Sequence, residues 1–176
     1  MACIMAISSP SSTAWKWTPA PTFGRPPSSS SICIASGWRW LSQPNGILLS
    51  PDEKRLYVID TGFTDGGPSH IRVFDVDIDT GKLTNGKVFA DGFAPGITDG
   101  MRCDVDGNVW CSMGWAEPKE DGVRCYSSSG DLLGKIHLPE TCANLVFGGP
   151  LRNRLFVCGS TSVYALYVGT QGALKP

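Results

Sequence analysis

Three residues of this chain stand where oxygen chemistry could be done. Asp99 is held between two glycines in Gly96-Ile97-Thr98-Asp99-Gly100, at the entrance to a strand-like run beginning at Met101. A carboxylate in such a place has two readings. It can be a turn-former that bonds its own backbone, or it can be a metal ligand or general base at a loop–strand junction. Asn45, in Pro44-Asn45-Gly46, and Asn144, just ahead of Leu145-Val146-Phe147, occupy junctions of the same kind. A carboxylate flanked by two amide side chains makes a hard-oxygen set, which suits Ca²⁺, Mg²⁺ or Mn²⁺ better than a soft metal.

These junctions matter only if the elements behind them bring them together. From Gln43 onward the chain repeats one grammar three times. The first unit is expected to hold strands at 47–49, 56–60, 70–76 and 87–90, with turns at Ser50-Pro51-Asp52-Glu53 and Asp79-Thr80-Gly81. The second holds strands at 101–105, 109–113, 123–126 and 132–137, and the third at 144–147, 155–159 and 162–167. Asp106-Gly107-Asn108 between apolar flanks is a hairpin signal, since glycine tolerates positive φ. The openings Asn45, Asp99 and Asn144 are roughly 45 to 55 residues apart, and four short strands per period is the mark of β-propeller blades. A single sandwich of nine to twelve strands is the alternative. In a propeller the innermost strands start around one end of a central channel, so residues just ahead of them would converge there.

Composition narrows the function classes. A net charge of −1 gives no electrostatic case for nucleic acid or an anionic membrane surface. No apolar run approaches the roughly 20 residues that span a bilayer, and no secretory apolar segment is present, which favours a cytoplasmic location. Residues 1–42 are Ser- and Pro-rich, lack strand or helix periodicity, and contain no acid; the first is Asp52. That stretch reads as a disordered tail, an organelle transit segment or a shifted reading frame, with the propeller domain spanning 43–176. The seven cysteines form no C-x-x-C pair and read as structural thiols. Of the two histidines, His70 and His137, the latter sits on an alternating run and reads as structural or surface.

The segments QPNGILLSPDEKRLYVIDTG, HIRVFDVD, NGKVFADG, TDGMRCDVDGNVW and ETCANLVFGG, in this order and spacing, resemble the gluconolactonase/senescence-marker-protein (regucalcin-like) family over about Gln43 to Gly172. The resemblance implies part of a six-bladed, all-β propeller, about three four-stranded blades behind an unstructured N-terminal segment. It also implies one divalent cation on the propeller axis, Ca²⁺ first, with Zn²⁺, Mg²⁺ or Mn²⁺ as alternatives, and a small sugar lactone as substrate. The family's PNG asparagine falls on Asn45, a metal ligand, and its TDG aspartate on Asp99, a metal ligand and general base. A family glutamate near the start of the first blade has no counterpart here. Asn144 and Trp115 are expected to line the substrate mouth, with Glu117 beside them. The expected function is therefore metal-dependent lactone hydrolysis, weak or absent with this incomplete ligand set. The alternative is a non-catalytic propeller fragment or binding module. Uncovered blade edges imply self-association.

Overall fold

In the computed structural model of the chain, residues 41–62, 67–116 and 120–174 are described, and all their regular structure is β. β1 (Pro44–Leu49), β2 (Arg55–Asp60), β3 (His70–Asp77) and β4 (Lys82–Ala90) form one antiparallel sheet in chain order. β5 (Ile97–Cys103), β6 (Val109–Gly114), β7 (Gly122–Tyr126) and β8 (Leu132–His137) form a second. β9 (Cys142–Gly148), β10 (Arg154–Gly159) and β11 (Val163–Tyr167) form a third. These are propeller blades, four-stranded twice and three-stranded once. After β11 the chain turns back. There the Val168, Gly172 and Ala173 amides donate to the carbonyls of Asn153, Arg152 and Cys103.

Burial follows from which blade faces have neighbours. β7, in the middle blade, is buried at all five positions, because both faces of its sheet are covered. β10 alternates instead: Leu155 and Val157 are fully buried, while Arg154 and Cys158 face outward. Two apolar clusters result. Between the first and second blades lie Leu48, Tyr57, Ile59, Ile71 and Val73 against Met101, Cys111 and Met113. Between the second and third lie Val123, Trp110 and Ile136 against Leu145, Leu155 and Val157. Trp110 meets Phe147 edge-to-face with ring centroids 5.7 Å apart, a favoured geometry for aromatic pairs.

Three strand starts differ from the sequence expectation in a way that bears on the site. β1 begins at Pro44 rather than Ile47, β5 at Ile97 rather than Met101, and β9 at Cys142 rather than Asn144. Asn45 and Asp99 therefore lie inside strands, not in loops ahead of them. The carboxylate that folds the second-blade hairpin is Asp104, which is fully buried. It accepts from the Asp106 and Asn108 amides at 3.1 and 2.9 Å, and from Trp110 Nε1 at 3.0 Å. Gly107 supplies the positive φ of that turn, 79°.

The five cysteines among the described residues are free, and four are buried. Burial pushes the thiols of Cys103, Cys111 and Cys125 up to about 12 and that of Cys142 to about 11, so they stay protonated and inert. Cys3 and Cys33 lie outside the described residues, as do 1–40 of the expected N-terminal segment. No described helix is long and apolar enough to cross a membrane.

Glu140 pins the β10–β11 hairpin. Its carboxylate accepts from Tyr164 Oη at 2.7 Å, and from the amide and hydroxyl of Thr161 at 2.7 and 3.0 Å. These donors, the tyrosine first, hold its pKa at about 2. A carboxylate depressed on folding adds stability that is complete above the ordinary glutamate value of about 4.3 and is lost as pH falls toward the folded value. Glu140→Gln should therefore lower the thermal midpoint at pH 6 and shrink the difference between pH 6 and pH 3. Thermal unfolding by circular dichroism across that range checks both.

Candidate metal and lactone site

Each innermost strand is irregular where a candidate residue sits. In the β1–β2 ladder Pro44 pairs with Asp60 and Ile47 with Val58, so Asn45 and Gly46 together oppose Ile59. In the β5–β6 ladder Thr98 pairs with Met113 and Met101 with Cys111, so Asp99 and Gly100 together oppose Ser112. In the β9–β10 ladder Asn144 pairs with Cys158 and Cys142 with Gly159, leaving Ala143 as the extra residue. A β-bulge re-aims the side chains next to it and bends the strand. Here three bulges do this at the same end of three neighbouring blades.

The glycines set how closely the blades approach. A Cβ on Gly46 would fall inside the Asp99 carbonyl oxygen, and one on Gly100 would fall inside the Asn144 amide. Neither glycine has a positive φ. They are required for clearance, not for conformational freedom.

Close approach brings Asn45 to Asp99. The exposed Asn45 side chain hydrogen-bonds the half-buried Asp99 carboxyl. Burial raises the Asp99 pKa, and the bond from Asn45 opposes it; neither influence is a positive charge. Asn144 is exposed and lies against Gly100, with its Oδ1 accepting from the Leu145 amide at 2.8 Å. Trp115 follows β6 directly. Because Ile97 pairs with Gly114, Trp115 is on the same rim as the start of β5. It is 62% exposed with φ 50°, and its amide donates to Thr141 Oγ1 at 3.4 Å, at the approach to β9. Glu117 lies outside the described residues.

Two residues that support this rim were not singled out in the sequence. Asp60, fully buried, accepts from the amides of Ser42 and Gln43 at 2.7 Å each and from the Ser42 hydroxyl at 3.1 Å, fixing the chain as it reaches β1. Buried His70 lies opposite, Nε2 3.8 Å from Asp60 Oδ2; desolvation lowers its pKa. Ser112, also fully buried, bonds both the second and third bulges. An Asp at a strand end and a Ser within an apolar strand carry little local signal, since both are common surface residues.

The family model described as SMP-30/Gluconolactonase/LRE-like region matches residues 37–161. The chain belongs to this family. A gluconolactonase of Zymomonas mobilis is 31% identical over 140 residues, which are 75% of this chain and 36% of that protein. Among solved structures, a gluconolactonase from Xanthomonas campestris is 34% identical with TM-score 0.60, covering 72% of this chain and 38% of that one. A regucalcin from Agrobacterium tumefaciens, described as a calcium-binding protein, is 25% identical with TM-score 0.62, covering 77% and 49%. This family member thus spans about a third to a half of the length of these relatives.

The residues present fit a hard divalent cation as a partial ligand set. Among the described residues no group of three or more His, Cys, Asp or Glu could hold a metal. The rim instead offers one carboxylate and neutral amide oxygens, the donor types calcium accepts. A half-buried carboxylate with no basic partner among its influences is also one that a cation would relieve. Gly46→Ala should break the approach on which this set depends, at roughly the 1–3 kcal/mol typical of overpacking. Gly134→Ala, where an added Cβ meets nothing within 4 Å, should be far milder. Urea denaturation of both variants checks the contrast.

Proposed function

We propose that Asp99 and Asn45 form part of a divalent-cation site, Ca²⁺ first, at which a sugar lactone is opened by water. The observation that carries this reading is the half-buried Asp99 carboxyl, hydrogen-bonded by Asn45 where the bulges of the first two blades meet. Membership of a family that includes a gluconolactonase supports the substrate class. A cation held by Asp99 and Asn45 would supply Lewis-acid polarisation of the lactone carbonyl.

The remaining work falls to this chain's own groups. Asp99 acts as general base, taking a proton from the attacking water as its oxygen bonds to the acyl carbon. The acyl carbon–ring oxygen bond then breaks, and the ring oxygen leaves as a hydroxyl carrying that proton. Asn45 orients the carboxylate through its hydrogen bond. Trp115 offers the sugar ring an exposed flat face on the rim, with Asn144 as a polar neighbour. A second reading, a binding module without turnover, is favoured by the single carboxylate in the set.

Calcium titration calorimetry on the chain separates these readings. Submillimolar binding that weakens by at least about tenfold in Asp99→Ala would support the cation site, and gluconolactone hydrolysis lost in the same variant would support catalysis. Binding without hydrolysis would favour the binding module. No calcium heat at millimolar concentration would sink the cation site.

The outward face of the third blade leaves Val146, Val163 and Tyr167 exposed, at 48%, 72% and 74%. Such a face favours association. Sedimentation velocity should show a concentration-dependent larger species, reduced by Val163→Asp.

A further inference from the structure

Ser112 bonds the bulges of two blades at once. Its hydroxyl accepts from the Gly100 amide at 2.9 Å and donates to the Ala143 carbonyl at 3.0 Å. Gly100 belongs to the bulge that carries Asp99, and Ala143 is the extra residue immediately before Asn144. Ser112 is fully buried, and so is its bond to Gly100, while the bond to Ala143 is partly buried. It stands directly opposite the Asp99-Gly100 pair, in the gap left by Thr98↔Met113 and Met101↔Cys111.

A bulge removes a residue from regular ladder bonding, and a buried amide or carbonyl left without a partner is costly. One hydroxyl here satisfies an orphan on each side of the blade interface. The position equivalent to Ser112 in the first blade is Ile59, opposite Asn45-Gly46, and it packs through its apolar side chain alone. At this position the first blade thus offers only a steric contact, whereas the second offers a hydroxyl that bonds the third.

We propose that Ser112 is a positioning residue, which fixes Asp99 and Asn144 relative to each other across the blade interface. Its calcium arm rests on the function proposed above; its structural arm does not. Partners that orient ligands from behind typically change metal affinity by 10–100-fold when removed.

The test uses Ser112→Ala, the near-isosteric Ser112→Cys, which cannot bond as strongly, and Ser112→Thr, which keeps the hydroxyl. Each is read by calcium calorimetry well below its unfolding temperature and by NMR of the Asp99, Gly100 and Asn144 amides. In Ser112→Ala and Ser112→Cys, calcium should bind about tenfold more weakly, Gly100 should exchange faster, and both Asp99 and Asn144 signals should shift. Ser112→Thr should restore wild-type affinity.

A Ser112→Ala chain that is merely less stable, with unchanged affinity and unmoved Asp99 and Asn144 signals, would overturn the proposal. If Ser112→Ala does not fold, Ser112→Cys carries the same comparison. If wild type takes no calcium, the proposed function fails and the amide signals alone decide. Shifts at both Asp99 and Asn144 would then uphold positioning, and a change confined to Gly100 would refute it.

Discussion

The structure depends on two missing Cβ atoms. β1 can lie against β5 only because Gly46 leaves room for the Asp99 carbonyl, and β5 can approach β9 only because Gly100 leaves room for Asn144. Backbone contact at that range sets the pitch from blade to blade. The apolar clusters between the sheets then pack around it. The same two glycines follow Asn45 and Asp99, the residues proposed to hold the cation, so one constraint bears on both the packing of the blades and the placement of those two side chains.

Two fully buried polar groups at this rim, and a third in the hairpin at the opposite end of the second blade, satisfy backbone groups. Asp60 takes two amides as the chain reaches β1, Asp104 takes two in the second-blade hairpin, and Ser112 serves one amide and one carbonyl at the interface. Each is fully buried. Strand ends and bulges create orphan donors and acceptors, and a short oxygen-bearing side chain is the smallest group that can meet them. Asp99 differs from these carboxylates in being only half-buried, beside the exposed Asn45. The chemistry proposed for it would need that exposure.

The repeated strand grammar was legible in the sequence because each strand carries its own signal. Alternation in Arg154-Leu155-Phe156-Val157-Cys158 and the Asp-Gly turn at 106–107 are local facts. Strand starts were less legible: Pro44-Asn45-Gly46 and Thr98-Asp99-Gly100 read as turns, because Asn, Asp and Gly favour turns in isolation. In the fold they are bulged strand, held by partners from β2 and β6 that are well over ten residues away.

The sequence by itself determined an all-β repeat, the order of its strands, the family, and the residue types available for an oxygen-rich site. Tertiary structure alone decided that Asn45 bonds Asp99, that Asn144 packs on Gly100, and that Trp115 shares their rim. It also decided that Asp104, rather than Asp99, is the turn-former of the second blade. The physical reason is range. Propensity and alternation act over a few residues of chain, whereas burial, carboxylate pKa and blade-to-blade bonds such as those of Ser112 depend on neighbours that only packing supplies.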